Sequence, residues 1–442
     1  LPRLNLFLFS AICSLYVAKL LHIKMNFSMF EIPKVPKMKS MINRLKHNTL
    51  LLFLLMGMLS PVAAQHNASK ATINASDYPT LQAAIDALPG NGGVVNIPPG
   101  EYELNKPLLI ITENTRLQGS GGATHLINNN QQGEPAILVK SGKGDQFRVE
   151  LSNFRISGNS KSGDGIFMEK IQESLITDMA IDNNGGHGIN MLNCYENPRI
   201  VNNNITYNAK AGINIDGGHD IIVSANEFEE NQDALRIKDG FNLTMTGNNI
   251  DDHLRHGVVV ENTYGSIISS NMIEECKGTA IILKSSDTDP KRFCYGITIS
   301  ANVIAHHLGG GVELRGAWGC SISANTFTLV HKNSILLSDG TSGITITGNN
   351  FSNSKGKLAS PRKENPFSWD VGSGIRLQNA SDVTISGNYF GRLSTEAVKA
   401  DAASSGIFVT GNIVAELEDH VAAAIDLGNA GNSLVKDNLL RK

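Results

Sequence analysis

Five ionisable residues close short segments of alternating apolar pattern, spaced about one repeat apart: Asp216, Lys238, Glu261, Lys284 and Arg315. If those segments stack as neighbouring parallel strands, about 4.8 Å apart, their charges form a stripe of alternating sign that ends in two cations. Two chemistries fit such a stripe. Carboxylates two strands apart, Asp216 with Glu261 or Glu261 with Glu313, stand roughly 9.6 Å from each other and can divide general-acid and general-base work. Lys284 beside Arg315 suits proton abstraction: the Arg stays charged, and the Lys becomes the base if its cationic neighbour lowers its pKa. A plainer reading stands beside both, in which alternating signs merely keep like charges apart on a solvated sheet. A second outward column, two residues upstream in each segment, carries Arg236, Glu313 and Arg376, while His187 and His256 each fall two residues before a segment begins.

The elements that must position these residues are repeats. The first apolar residue of a pattern "small, apolar, x, apolar" falls at Ile166, Ile189, Ile213, Leu235, Val258, Ile281, Val312, Ile335, Ile375, Val398 and Ile425, and most intervals are 22–24 residues. A second alternating pattern, as in Ile222 to Phe228, recurs between them. Each unit holds strands too short to bury a face alone but able to stack on the next. The period of 2 within units rich in Thr, Ser, Asn and Gly excludes a helical solenoid. Asn203, Asn226, Asn248, Asn271, Asn302, Asn325, Asn349, Asn388, Asn412 and Asn438 recur at one place. They are expected to take the left-handed turn that redirects the strand and to link their amides from coil to coil. Upstream, Leu81, Ala84, Ile85 and Leu88 have helical spacing between Pro79 and Pro89-Gly90; a short helix capping the open end of the coil is expected.

The first 64 residues read as targeting sequence. Lys46 precedes the apolar run Leu50 to Leu59, and Val62-Ala63-Ala64 offers the small residues that precede signal cleavage. The expectation is cleavage after Ala64, with export outside the cell or into the periplasm. Residues 1 to about 40 read as an over-extended start, and the alternative is that Leu4 to Leu21 anchors the chain in a membrane through an uncleaved N-terminus. Without its first 64 residues the chain holds 30 basic and 40 acidic residues, the wrong balance for a nucleic-acid binder. Cys194, Cys276, Cys294 and Cys320 lack metal-ligand spacing and read as core fillers, with one bridge from Cys294 as the alternative.

The run Tyr78-Pro79-Thr80-Leu81-Gln82-Ala83-Ala84-Ile85, then Gly92 to Tyr102, followed by coils with an Asn ladder, resembles the right-handed parallel β-helix of the pectate-lyase-like superfamily, over roughly Asp77 to Leu440. The resemblance implies an all-β fold, a single-stranded right-handed parallel β-helix of about 11–12 coils. Its expected organisation is a leader over 1–64, a cap with a short helix over 65–97 and the helix proper over 98–442. It also implies a polysaccharide partner lying along one exposed strand column, here the charged one.

On that basis the expected function is cleavage of a polysaccharide by lyase or glycoside hydrolase chemistry. Asp216, Lys238, Glu261, Lys284, Glu313 and Arg315 are the candidate catalytic groups, and His187, Arg236, His256, Trp369 and Arg376 the candidate substrate contacts. Ca²⁺ would enter only with a lyase, and no residue is assigned to a metal. The alternative is a non-catalytic module: carbohydrate-binding, adhesin-like or of the NosD-like periplasmic type. Insertions at Ser285 to Tyr295 and Ser352 to Gly372 flank the column, as binding loops on a rigid scaffold do. Fragments Gly186-His187-Gly188 and Arg236-Ile237-Lys238 resemble pieces of the polygalacturonase signature, but they stand two coils apart and the paired aspartates expected before the His are missing, so that activity is not carried over.

Overall fold

The computed structural model describes residues 71–142, 144–286, 288–289, 291–352 and 373–441. Its strands fall into three long sheets of 15, 14 and 13 members that share the chain in rotation. One turn near the middle reads Ile213–His219, Ile222–Ser224 and Glu227–Glu229, one strand for each sheet. Every pairing is parallel and joins a strand to its counterpart one turn later, as Ile213 faces Leu235 and Ile215 faces Ile237. The result is an all-β parallel β-helix.

The sheets give about 14 turns, more than the 11–12 expected. Strands Leu108–Ile110 and Ile137–Lys140 open the 13-stranded sheet ahead of Ile166. Their outward positions hold Leu109 and Leu138, which hides the alternation that marks later turns.

Alternation sends one side chain of each pair inward. Ile213 and Ile215 are buried while Asn214 is half-buried and Asp216 exposed. The inward residues of successive turns lie on one another, and Phe327, Phe351 and Phe390 stack with ring centroids 4.8 and 4.7 Å apart, the strand repeat itself.

The Asn ladder runs through the core from Asn203 to Asn438. The Nδ2 of Asn302 donates to the Oδ1 of Asn325 at 3.0 Å and to the carbonyl of Ile268 at 3.0 Å. The same geometry links Asn203 to Asn226 and Asn412 to Asn438. The left-handed residue, however, is the one before each Asn: Ala225, Gly247, Ser270, Ala301, Ala324 and Gly348 have φ between 55° and 67°. The physical reason is a division of labour. The preceding residue makes the corner, which leaves the Asn free to turn its amide inward and along the axis.

The expected helix is present as α1, Leu81–Asp86, with Thr80 as its N-cap accepting from the Ala83 N–H at 3.1 Å. Leu81, Ala84 and Ile85 are buried. It connects Thr72–Asn74 to Gly93–Asn96, which are paired neighbours in the 15-stranded sheet. Gln82 covers the first edge of the 13-stranded sheet, since its Oε1 accepts from the Leu109 N–H at 2.8 Å and its Nε2 donates to the Leu109 carbonyl at 3.0 Å. One side chain thus occupies both edge groups of a strand that has no preceding turn. Cys194, Cys276, Cys294 and Cys320 are buried free thiols; burial pushes Cys194 up to about 11 and Cys294 to about 12.

Candidate functional site

The 13-stranded sheet places the charged column in register. Leu192 faces Asp216, Asp216 faces Lys238, Lys238 faces Glu261, Glu261 faces Lys284 and Lys284 faces Arg315. Five side chains spread over 100 residues of sequence therefore line successive turns. Asp216 and Lys238 are exposed; Glu261, Lys284 and Arg315 are half-buried. A shallow cavity of about 170 Å³ opens on this face, lined by Asn214, Asp216, Arg236, Lys238, Val259 and Glu261 along with the backbone of Ile215 and Ile237.

Glu313 and Arg315 stand apart in one respect. They belong to one strand, Val312–Arg315, and Arg315 Nε pairs with Glu313 Oε1 at 2.8 Å. Register places Glu313 in the neighbouring column, opposite Ile282, so Asp216 with Glu261 is the carboxylate pair that shares both a column and the cavity. Arg376 lies beyond Leu336, between it and Lys399, where it lines a separate depression with Asn333, Glu396 and Lys399. Trp369 falls outside the described residues, as does most of the insertion around it. In the other insertion Arg292 is held by an ion pair to Asp239, next to Lys238.

His187 and His256 border the same sheet on its upstream edge. Burial lowers the pKa of each, more than the nearby carboxylates Asp164 and Asp233 raise it, so both imidazoles are neutral at pH 7. Asp233 is fully buried and accepts from Arg255 on both carboxylate oxygens, from Nε at 2.8 Å and from Nη2. It also accepts the His256 N–H at 3.0 Å and faces Arg236 at 3.7 Å. Sequence reasoning missed Asp233 and Asp164. The available signal was spacing, because each lies 23 residues before its His, one turn away.

The downstream edge carries a second missed feature. His219, Phe241 and Tyr264 lie three residues after Asp216, Lys238 and Glu261, and Tyr295 follows in the next turn. Their rings stack at 3.9, 5.0 and 4.9 Å. Trp318 continues the register and is 56% exposed. Ring faces are consumed by neighbouring rings, so the ladder presents edges and walls the column rather than offering stacking platforms.

Away from this face, the corner after the 14-stranded sheet gathers Asp251, Asp252, Glu274, Glu275 and His306. Burial and the surrounding carboxylates push Asp251 up to about 6 and Glu275 to about 7, and His306 Nδ1 lies 2.6 Å from Glu274. Three-ligand groups for a cation form here, and also from Glu196, His219 and Asp220; among the described residues none includes a member of the charged column.

The catalytic domain of Agl-KA superposes with a TM-score of 0.61 at 15% identity, over 83% of this chain and 68% of that one. DFA-IIIase of Arthrobacter chlorophenolicus A6, solved without its lid, gives 0.55 at 14%, over 83% and 99%. The catalytic unit of the GH87 alpha-1,3-glucanase of Streptomyces thermodiastaticus gives 0.52 at 17%, over 86% and 71%. At such identities these are likenesses of fold. No curated protein matches the sequence. Residues 135–293 and 291–442 match the family described as right handed beta helix region, and with parallel turns running from Thr72 to Leu440 the chain belongs to that family.

Proposed function

We propose that the protein is a polysaccharide-cleaving enzyme whose substrate lies along the 13-stranded sheet, over the column from Asp216 to Arg315. The observation that carries this reading is the register: Asp216, Lys238 and Glu261 occupy three successive turns and line one cavity. Similar folds serve as an alpha-1,3-glucanase and as a DFA-IIIase, which supports a glycan as the ligand class. An exported location, outside the cell or in the periplasm, accompanies the proposal on the strength of the apolar run Leu50 to Leu59 and the small residues Val62-Ala63-Ala64 after it.

The chemistry that fits is inverting hydrolysis. Two carboxylates two turns apart are separated by roughly 9.6 Å, at the upper limit of the spacing that seats a water between one of them and the sugar. One protonates the departing oxygen and the other takes a proton from that water. Lys238 lies in register between them, where it faces the carboxylate that acts as base, and Arg236 lines the same cavity from the neighbouring column. A second reading, β-elimination with Lys284 as base, is favoured by the direct pairing of Lys284 with Arg315; Ca²⁺ would belong to that reading.

Incubation of the protein with a panel of neutral and acidic polysaccharides, followed by reducing-end and ultraviolet assays, separates the readings. Reducing ends without absorbance mean hydrolysis, and an absorbing unsaturated product means elimination. Binding without turnover would return the protein to the non-catalytic carbohydrate-binding class.

A further inference from the structure

The upstream edge of the charged sheet carries one device twice. At the position two residues before the first inward apolar residue of the column strand, Asp164 is followed one turn later by His187, and Asp233 is followed one turn later by His256, its register partner. In the first pair Asp164 Oδ1 accepts the His187 N–H at 2.6 Å, and His187 Nδ1 accepts the Ala211 N–H of the next turn at 3.2 Å. In the second pair Asp233 Oδ1 accepts the His256 N–H at 3.0 Å, and His256 Nδ1 accepts the Thr279 N–H at 3.0 Å.

Each imidazole is thus fixed by the turn before it and the turn after it. A ring nitrogen that accepts from a backbone N–H carries no proton, so in both residues the proton sits on Nε2. Among the described residues neither Nε2–H has an acceptor. Small neighbours keep the arrangement possible, since a Cβ at Gly186 would meet Asp164 Oδ1 and one at Gly278 would meet His256 Nδ1, both closer than contact allows. The two histidines share a column, a tautomer and a set of backbone anchors. They differ by three turns, roughly 14 Å along the axis, and the cavity lined by Asn214, Arg236 and Glu261 belongs to the turns from one to the other.

Resting on the polysaccharide reading above, we infer that His187 and His256 are two equivalent hydrogen-bond donors that grip one glycan chain at points three turns apart, on the upstream side of the Asp216–Glu261 cavity. The ligand is therefore an extended segment of several sugars parallel to the solenoid axis, and not a mono- or disaccharide. Neutral donors suit hydroxyl and ring oxygens whether or not the sugar is acidic. Asp164 and Asp233 are positioning residues that fix each imidazole through its backbone.

The test is calorimetric titration of the full chain with size-fractionated oligosaccharides cut from whichever panel polysaccharide the wild type binds. His187→Ala and His256→Ala should each weaken binding of long oligosaccharides about tenfold, one hydrogen bond apiece, and the double variant about a hundredfold. For fragments too short to span both points, the double variant should lose no more than a single one. His256→Gln, which restores an N–H donor, should recover most of the affinity. Asp233→Asn, which keeps an acceptor for the His256 N–H, should retain long-chain binding, whereas Asp233→Leu, which also strands Arg255, should lose it in protein that circular dichroism shows to be folded. Equal losses for long and short fragments, or wild-type affinity in both His variants, overturn the two-point grip while leaving the polysaccharide reading intact. Absence of binding by the wild type to every polysaccharide removes both.

Discussion

Replacing Asn302 by Ala deletes a rung from the middle of the internal ladder, and its consequence can be worked bond by bond. The Oδ1 of Asn302 accepts from the N–H and the Nδ2 of Asn271, both at 3.0 Å. Its Nδ2 donates to the Ile268 carbonyl and to Asn325 Oδ1. Asn271 Nδ2 retains the Met245 carbonyl and Asn325 Oδ1 retains the Asn302 N–H, so the group left stranded is the buried N–H of Asn271. A stranded buried donor costs about 1–3 kcal/mol and each of the three further bonds about 0.5–1.5 kcal/mol, which sums to about 5 kcal/mol. The last rung is a built-in control: Asn438 is half-buried at the end of the stack, where water can replace its partner, and Asn438→Ala should cost about 1 kcal/mol. Guanidinium unfolding followed by circular dichroism measures both, with hydrogen exchange at Asn271 as the local readout, because solenoids can open in parts. Equal effects at the two positions, or a loss below about 1 kcal/mol at Asn302, would refute the view that the ladder is a chain of mutually dependent buried amides.

Activity and stability at other positions follow from the same geometry. Glu261→Gln should abolish turnover of the panel polysaccharide with binding retained, whereas Glu418→Gln, remote from the column, should leave the rate unchanged; progress curves decide. Gly278→Ala puts a methyl group 2.3 Å from the Arg255 carbonyl and 2.4 Å from His256 Nδ1, and should shift the backbone there, displace the imidazole and weaken long-oligosaccharide binding at least as much as His256→Ala in the same titration. At one corner position in adjacent turns, Ala324 has φ 56° and Gly348 φ 65°, so Ala324→Gly should stabilise and Gly348→Ala destabilise, each by about 1 kcal/mol, although nothing lies within 4 Å of the new methyl at Gly348; thermal midpoints check the signs. Asp251, raised from 3.8 to about 6 chiefly by burial, binds a proton in the fold that the unfolded chain has released. Stability therefore falls as pH rises through that window and the deficit persists above it. Asp251→Asn should stabilise at pH 8 by about 1 kcal/mol after allowance for solvent screening and have no effect at pH 3, as read from denaturation at the two pH values.

The architecture was legible because its signal is redundant. A Gly or Ala ahead of an apolar pair marks the start of a column strand in turn after turn, and a glycine such as Gly188 has the Gly212 carbonyl where its Cβ would go. That anchor sets the register, so the stripe from Asp216 to Arg315 could be read across loops of different length. The first turns escaped because Leu109 and Leu138 face outward beneath no polar partner column. The site was legible only as far as alternation reaches. Asp164 and Asp233 fall two residues ahead of the inward Ile166 and Leu235 and share their parity, but a lone aspartate ahead of an apolar run looks like a turn residue until its neighbours one turn away are known. The Glu313–Arg315 pair is likewise a choice of rotamer, which residue spacing does not encode. The aromatic edge from His219 to Tyr295 was readable from its constant offset of three residues in its first three members, but a four-residue match per turn is easily lost among core aromatics such as Phe228.

The central claim is that a glycan occupies the charged face of the 13-stranded sheet. A crystal structure of the protein soaked with a long oligosaccharide of the bound polysaccharide tests it most directly. The account predicts sugar rings running along the axis over Asp216, Lys238 and Glu261, with oxygens on the Nε2 atoms of His187 and His256. An oligosaccharide seated instead on the 15- or 14-stranded sheet, with that column bare, would contradict it.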